Sequence, residues 1–146
     1  MIRSWLALVV TLAALAVGTP ARADEGGPLS AADRNAIRNV IEAQLAAFRA
    51  DDGATAFGFA SPSIQRQFGN PATFLAMVKS SYLPVYRPRE VQFRRLIEHD
   101  GEPVQLVLLV GPDFAVVTAY YIMQQQADGT WRINGCVLRE AADQAT

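Results

Sequence analysis

The stretch Gly111-Pro-Asp-Phe-Ala-Val-Val-Thr-Ala-Tyr-Tyr-Ile-Met-Gln-Gln-Gln-Ala-Asp-Gly-Thr-Trp-Arg-Ile-Asn-Gly-Cys-Val-Leu138 decides the fold. Two runs rich in β-branched and aromatic residues, Phe114 to Gln126 and Thr130 to Leu138, flank Asp128-Gly129. Gly takes the positive φ that a tight hairpin turn needs, so the stretch predicts two antiparallel strands. Working outward, Gly111-Pro112-Asp113 turns back to Val104–Val110, and Asp100-Gly101 turns back again to Val91–Glu98. Arg94-Arg95 interrupts the alternation there and predicts a β-bulge. Every connection is short, which makes sequential strands antiparallel neighbours. On the last strand, period two places Arg132 and Asn134 on one face and Trp131, Ile133, Gly135 and Val137 on the other.

The chain ahead of this sheet reads as helix. Ser30 is an N-cap, with Asp33 in the reciprocal position of a capping box. Ile37, Val40, Ile41, Leu45 and Phe48 then recur at spacings of three and four as one apolar stripe. Asp51-Asp52-Gly53 ends this helix and caps a short helical piece over Ala54 to Ala60. Ser61-Pro62 and Asn70-Pro71 each pair a capping side chain with a Pro at the first helical position, predicting helices from Pro62 to Phe68 and from Pro71 to about Ser81. Pro84 and Pro88 predict an extended, polyproline-like crossing from Tyr82 to Arg89. Helices followed by a meander of strands give an α+β fold, with N-terminal helices packed on one face of a curved antiparallel β-sheet. Val104–Val110 and Phe114–Met123 are apolar on both faces, so the far face needs its own cover. A homodimer through the sheet face is the expected one.

The ends and the charge bound the compartment. Arg3 precedes an apolar run from Trp5 to Val17, and Ala21-Arg22-Ala23 offers small residues where a signal peptidase reads. Residues 1–23 are therefore expected to be a signal peptide cleaved after Ala23, giving a periplasmic or secreted protein. The apolar run is shorter than the roughly 20 residues of a membrane-spanning helix, and no Cys marks a lipid anchor, so no stable membrane anchoring is expected after cleavage. Residues 24–29 read as a flexible leader, 30–139 as a single domain and 140–146 as a tail. Cleavage removes Arg3 and Arg22 but no acidic residue, so 13 basic residues become 11 against 14 acidic ones, a net charge of −3. With both signs scattered and no basic patch, nucleic acid is not an expected partner. Cys136 is the only thiol, which leaves no intramolecular disulfide, and its apolar flanks predict a buried structural thiol.

A family resemblance rests on specific wording. Helices followed by a curved sheet, ending in a hairpin with Asp128-Gly129-Thr130-Trp131-Arg132-Ile133, resemble the cone-shaped superfamily of nuclear transport factor 2, scytalone dehydratase and ketosteroid isomerase, which includes the SnoaL-like proteins. Four segments are similar to a family of small exported bacterial proteins defined as a domain of unknown function. They are Ala46–Asp52, Phe57-Gly-Phe-Ala-Ser-Pro62, Pro84-Val-Tyr-Arg-Pro88 and Trp131–Leu138. The resemblance implies a cone with a cavity between sheet and helices, and it implies no activity.

Chemistry motifs are sparse. His99, the only His, lies beside the Asp100-Gly101 turn and reads as a solvated turn residue rather than a base. Paired histidines, a Cys pair, carboxylates at ligand spacing, a phosphate loop and a nucleophile elbow are all lacking in the sequence, so no metal and no cofactor is expected. Tyrosines are the better candidates, because a buried hydroxyl must find a partner. Tyr82, Tyr86, Tyr120 and Tyr121 are weighed as such, and Tyr82, Tyr86, Tyr120, Trp131 and Arg132 are the candidate ligand-pocket residues. The expected function is non-catalytic binding of a small apolar ligand or of a protein partner. Two alternatives stand beside it: a lyase or isomerase pairing a Tyr with a pocket carboxylate, such as Tyr120 with Asp51 or Asp52, and a structural accessory subunit whose cone is filled by side chains.

Overall fold

A computed structural model describes residues 28–141. The expected signal peptide lies outside the described residues, as do 24–27 of the leader and 142–146 of the tail. Five helices precede four strands: α1 Ala31–Arg49, α2 Gly53–Gly58, α3 Pro62–Phe68, α4 Pro71–Ser81, α5 Leu83–Tyr86, then β1 Glu90–His99, β2 Glu102–Val110, β3 Val116–Gln125 and β4 Trp131–Glu140. The strands form one antiparallel sheet in the order β1-β2-β3-β4. This is an α+β arrangement, with its helices gathered on one face.

Local chemistry accounts for the element boundaries. At the start of α1 the Ser30 side chain accepts from the Asp33 N–H at 3.0 Å, while Asp33 accepts from the Ser30 N–H and hydroxyl, closing a capping box. Asp52, Ser61 and Asn70 cap α2, α3 and α4 in the same way, each accepting from the N–H three residues on. The crossing predicted as extended from Tyr82 to Arg89 instead contains the helical turn α5. Pro84 sits in its first turn, where the missing N–H removes no hydrogen bond, so this Pro opens a helix rather than forbidding one. Asp100 and Gly101, with φ of 51° and 78°, form the two-residue hairpin between β1 and β2. Gly129, at φ 88°, closes the β3–β4 turn by donating to the Gln126 carbonyl at 2.9 Å.

Two bulges shape the sheet. In β1, Arg94 and Arg95 together oppose Leu106, as their interruption of the alternation predicts. The buried Gln105 side chain donates from Nε2 to the Arg94 carbonyl at 2.8 Å and so satisfies a backbone group that the bulge leaves without a ladder partner. In β4, Ile133 pairs with Met123 and Gly135 with Ile122, so Asn134 is an extra residue. One extra residue inverts the alternation beyond it. Trp131 and Ile133 are buried as predicted, but Cys136 and Leu138 join the core cluster while Val137 is 44% exposed, which corrects the shared face assigned to Gly135 and Val137.

The core lies between α1, α4 and the inner sheet face, with Ile37, Ile41, Phe48, Val107, Leu109, Ala119 and Tyr121 almost fully buried. Phe74 of α4 is an aromatic hub, its ring centroid 5.9, 5.6 and 5.6 Å from those of Phe48, Phe57 and Phe68. No helix of the described residues is long and apolar enough to cross a membrane.

The caps generate a pH dependence. Hydrogen bonds from Ser30, Thr55 and Thr130 lead the causes that hold the Asp33, Asp52 and Asp128 carboxyls below their ordinary value of 3.8. Groups with a depressed folded-state pKa contribute stability that is complete above the unfolded value and lost as pH falls through the folded one. The urea midpoint is expected to hold down to about pH 4 and to decline below it. Asp52→Ala should lower the midpoint at neutral pH, because the α2 N-cap is lost, and make the acid decline shallower.

Candidate functional site

Between the helical layer and β3–β4 lies a cavity of about 260 Å³. Its deep wall is built from Phe48, Phe74, Val78, Val85, Tyr121 and Ile133, all buried. Its lining continues outward to the exposed Gln67 and Val137, so it opens between α3 and the free edge of β4. No Asp, Glu, Lys, Arg or His is among the lining residues.

The opening exists because of how the helices reach β4. The Ser61 N–H donates to the Ile133 carbonyl at 2.8 Å, and the Ile133 N–H donates to the Phe59 carbonyl at 2.9 Å. These two bonds form a one-residue parallel bridge between Ala60 and Ile133. The Ser61 hydroxyl adds a 2.7 Å bond to Asn134 Oδ1, the bulged residue. Beyond this clasp the β4 edge is met by a side chain: Tyr82 Oη donates to the Cys136 carbonyl at 3.1 Å.

Three polar side chains lie in the interior of the cavity wall. Tyr82 spends its hydroxyl on Cys136 O, and Gln44 donates from Nε2 to the Ala56 carbonyl at 3.1 Å, which leaves its side-chain carbonyl as an acceptor. Tyr121 differs from both. It is fully buried and lines the cavity, and its hydroxyl is sealed from water, with the Cys136 thiol as the polar group that interacts with it. Its neighbour across the strand pair is Cys136, another lining residue. Burial pushes the Tyr121 phenol well above its ordinary 10.0, so it remains a neutral O–H at any physiological pH. Burial likewise pushes the Cys136 thiol up to about 12, although the residue as a whole keeps some exposure.

Of the five candidates drawn from the sequence, Tyr82 alone lines this cavity. Tyr86 lies outside it, where its hydroxyl donates to Asp51 Oδ1 while Arg87 reaches Asp51 Oδ2 at 3.1 Å and also the Phe48 carbonyl at the end of α1. That cluster, with Lys79 Nζ 3.8 Å from Asp51, ties α1 to α4 and α5. Tyr120 is on the outer sheet face, in a groove with Leu106, Leu108 and Val116, and the Arg139 guanidinium stands 5.9 Å from its ring. Trp131 is buried, and its Nε1 donates to Asp33 Oδ1 at 3.3 Å, joining the hairpin to the start of α1. Arg132 donates to the Gly58 and Ala60 carbonyls, as a cap for the end of α2. The suggested pairing of Tyr120 with Asp51 or Asp52 does not form: Asp51 is held by Tyr86, and Asp52 caps α2. Among the described residues, no group of three or more His, Cys, Asp and Glu is placed to hold a metal ion.

Tyr121 is the residue that sequence reasoning weighs and does not select. The signal lies in its strand. Thr118 and Gln124 lie on the face that also carries Val116, Tyr120 and Ile122, whereas Val117, Ala119, Tyr121 and Met123 make the other wholly apolar. Polar residues mark the solvent face, so Tyr121 belongs inside.

A ligand-sized apolar cavity beneath helices on an open antiparallel sheet thus defines the protein's architecture. The family model described as Domain of unknown function (DUF4864) matches residues 30–146, and the chain belongs to that family. No curated protein matches the chain.

The thiol provides a test of the cavity floor. With a pKa of about 12, Cys136 is thiolate in roughly one molecule in ten thousand at about pH 8. An aromatic disulfide reagent should leave the folded protein unmodified over minutes and titrate the single thiol at once in denaturant. Rapid reaction of the folded protein would show the floor to be open to water.

Proposed function

We propose that this protein is an exported, non-catalytic binder of a small, mostly apolar ligand, held between helices and sheet in a cone of the nuclear-transport-factor-2 type. One observation carries the reading: an apolar cavity of about 260 Å³ lies between the helical layer and β3–β4, with no Asp, Glu, Lys, Arg or His in its lining. A lining without carboxylate or imidazole favours binding over acid–base catalysis, and the cavity itself favours binding over a cone filled by side chains. The test is the mass of the protein, purified from its export compartment, under native and then denaturing conditions. Extra mass released on denaturation is expected, and Val78→Phe, which projects a larger side chain into the cavity, should abolish it while keeping the fold. A native mass equal to the bare chain, with no thermal stabilisation by any small apolar compound, would contradict the proposal.

A second reading concerns the outer face. Val116, on the strand of Tyr120, and Val137, which pairs with Tyr120 across β4, are 42% and 44% exposed, and apolar exposure of this kind favours a second copy packed sheet to sheet. Sedimentation is expected to give twice the chain mass, and Leu108→Arg to give a folded monomer. A wild-type monomer at high micromolar concentration would exclude the dimer.

A further inference from the structure

Independently of the inner cavity, we infer that the outer sheet face binds a free anionic amphiphile, a medium-length acyl chain ending in a carboxylate, in a groove with one cationic and one apolar end. The groove, of about 830 Å³, is floored by Leu106, Leu108, Val116 and Tyr120 and bordered by Arg94, Arg95 and Arg139. The β1 bulge supplies two of the three arginines. Consecutive strand residues ordinarily point to opposite faces, but Arg94 and Arg95 together oppose Leu106 and both border this groove. Arg139 comes from β4, across the floor, and its guanidinium leans back to 5.9 Å from the Tyr120 ring. Tyr120 in turn pairs with Leu106. The three cations thus flank one row of the sheet from both sides.

Charge sets the head group. No ion pair among the described residues involves Arg94, Arg95 or Arg139. Neighbouring guanidiniums without counter-charges repel one another and draw anions, here on a chain with 14 acidic residues against 13 basic ones. An Arg meets a carboxylate through two parallel N–H donors. Glu140 also borders the groove, but its register beside Val117 puts it near the Val116 end, where it turns an anionic head away. Shape sets the tail. From Tyr120 to Val116 the floor runs along β3 for about 14 Å, past Leu108 and away from the arginines. A membrane surface fits less well, because the floor is recessed behind the arginine side chains: Leu106 is only 8% exposed. A second copy packed on this face would set its own three arginines against these, so ligand and partner would occupy the floor in turn.

Two probes share a tail and differ in head charge: octanoate and octyltrimethylammonium, both too polar at the head for the uncharged inner cavity. They are titrated by calorimetry against the folded chain at neutral pH and low salt, at protein concentrations below those that favour pairing. Octanoate is expected to bind at least about tenfold more tightly than the ammonium, and at least about tenfold more tightly than acetate, which lacks the tail. The double variant Arg94→Gln, Arg95→Gln should remove the preference for the anion, whereas Val78→Phe in the inner cavity should leave it unchanged. Equal affinity for the two heads, a preference that survives the double variant, or acetate equal to octanoate would overturn the inference. Octanoate binding abolished by Val78→Phe would overturn it too, by placing the ligand in the inner cavity. Adsorption to anionic phospholipid vesicles that octanoate does not displace would assign the arginines to a membrane instead. Failure of octanoate to bind the wild type would overturn the inference and leave the cavity-binding reading untouched.

Discussion

The structure depends on the clasp at Ile133. Two main-chain hydrogen bonds, from Ser61 to Ile133 and from Ile133 to Phe59, are where the α2–α3 junction joins the edge of the sheet. An edge strand offers unpaired donors and acceptors along its length, and here the main chain of the helical layer meets them at Ile133, with the Tyr82 hydroxyl taking the Cys136 carbonyl further along. The bulge at Asn134 follows at once, its side chain held by Ser61. Past the bulge the strand alternation inverts, bringing Cys136 and Leu138 inward and turning Val137 out. The clasp therefore seals one end of the space between layers and leaves the other open beside α3.

The deep wall at Phe48, Phe74 and Tyr121 is shielded from water, while the space opens to solvent at Gln67 and Val137. A chain with Val78, Met77 and Ile64 around the space could close it by small enlargements of these side chains.

Much of this was legible in the sequence, and the reasons are local. Ser30, Asp52, Ser61 and Asn70 announce their helices because a cap is chemistry among residues three apart. Asp100-Gly101 and Asp128-Gly129 announce their hairpins because few residues other than Gly and Asp tolerate positive φ. The Arg94-Arg95 bulge shows as a break in alternation, whereas the Asn134 bulge does not, because Asn-Gly inside an alternating run looks like ordinary solvent-face polarity. That single hidden residue misassigned Gly135 and Val137. Pro84 differs for the opposite reason: proline is excluded from helix interiors, but this one sits in a first turn, where its missing N–H removes no hydrogen bond.

The site was less legible than the fold. Tyr86, Trp131 and Arg132 have polar tips that the structure spends on Asp51, Asp33 and the α2 carbonyls, contacts between segments 35 to 98 residues apart that no spacing rule reveals. The cavity beside Tyr121 is a product of three-dimensional packing, which no residue spacing reveals. The most direct test of the account is a crystal of the mature protein under xenon pressure, since xenon enters apolar cavities without needing a head group. Xenon density bounded by Phe48, Phe74, Val78 and Tyr121 is the expected result. Side chains collapsed into that space, with no xenon density there, would show that the cavity does not exist.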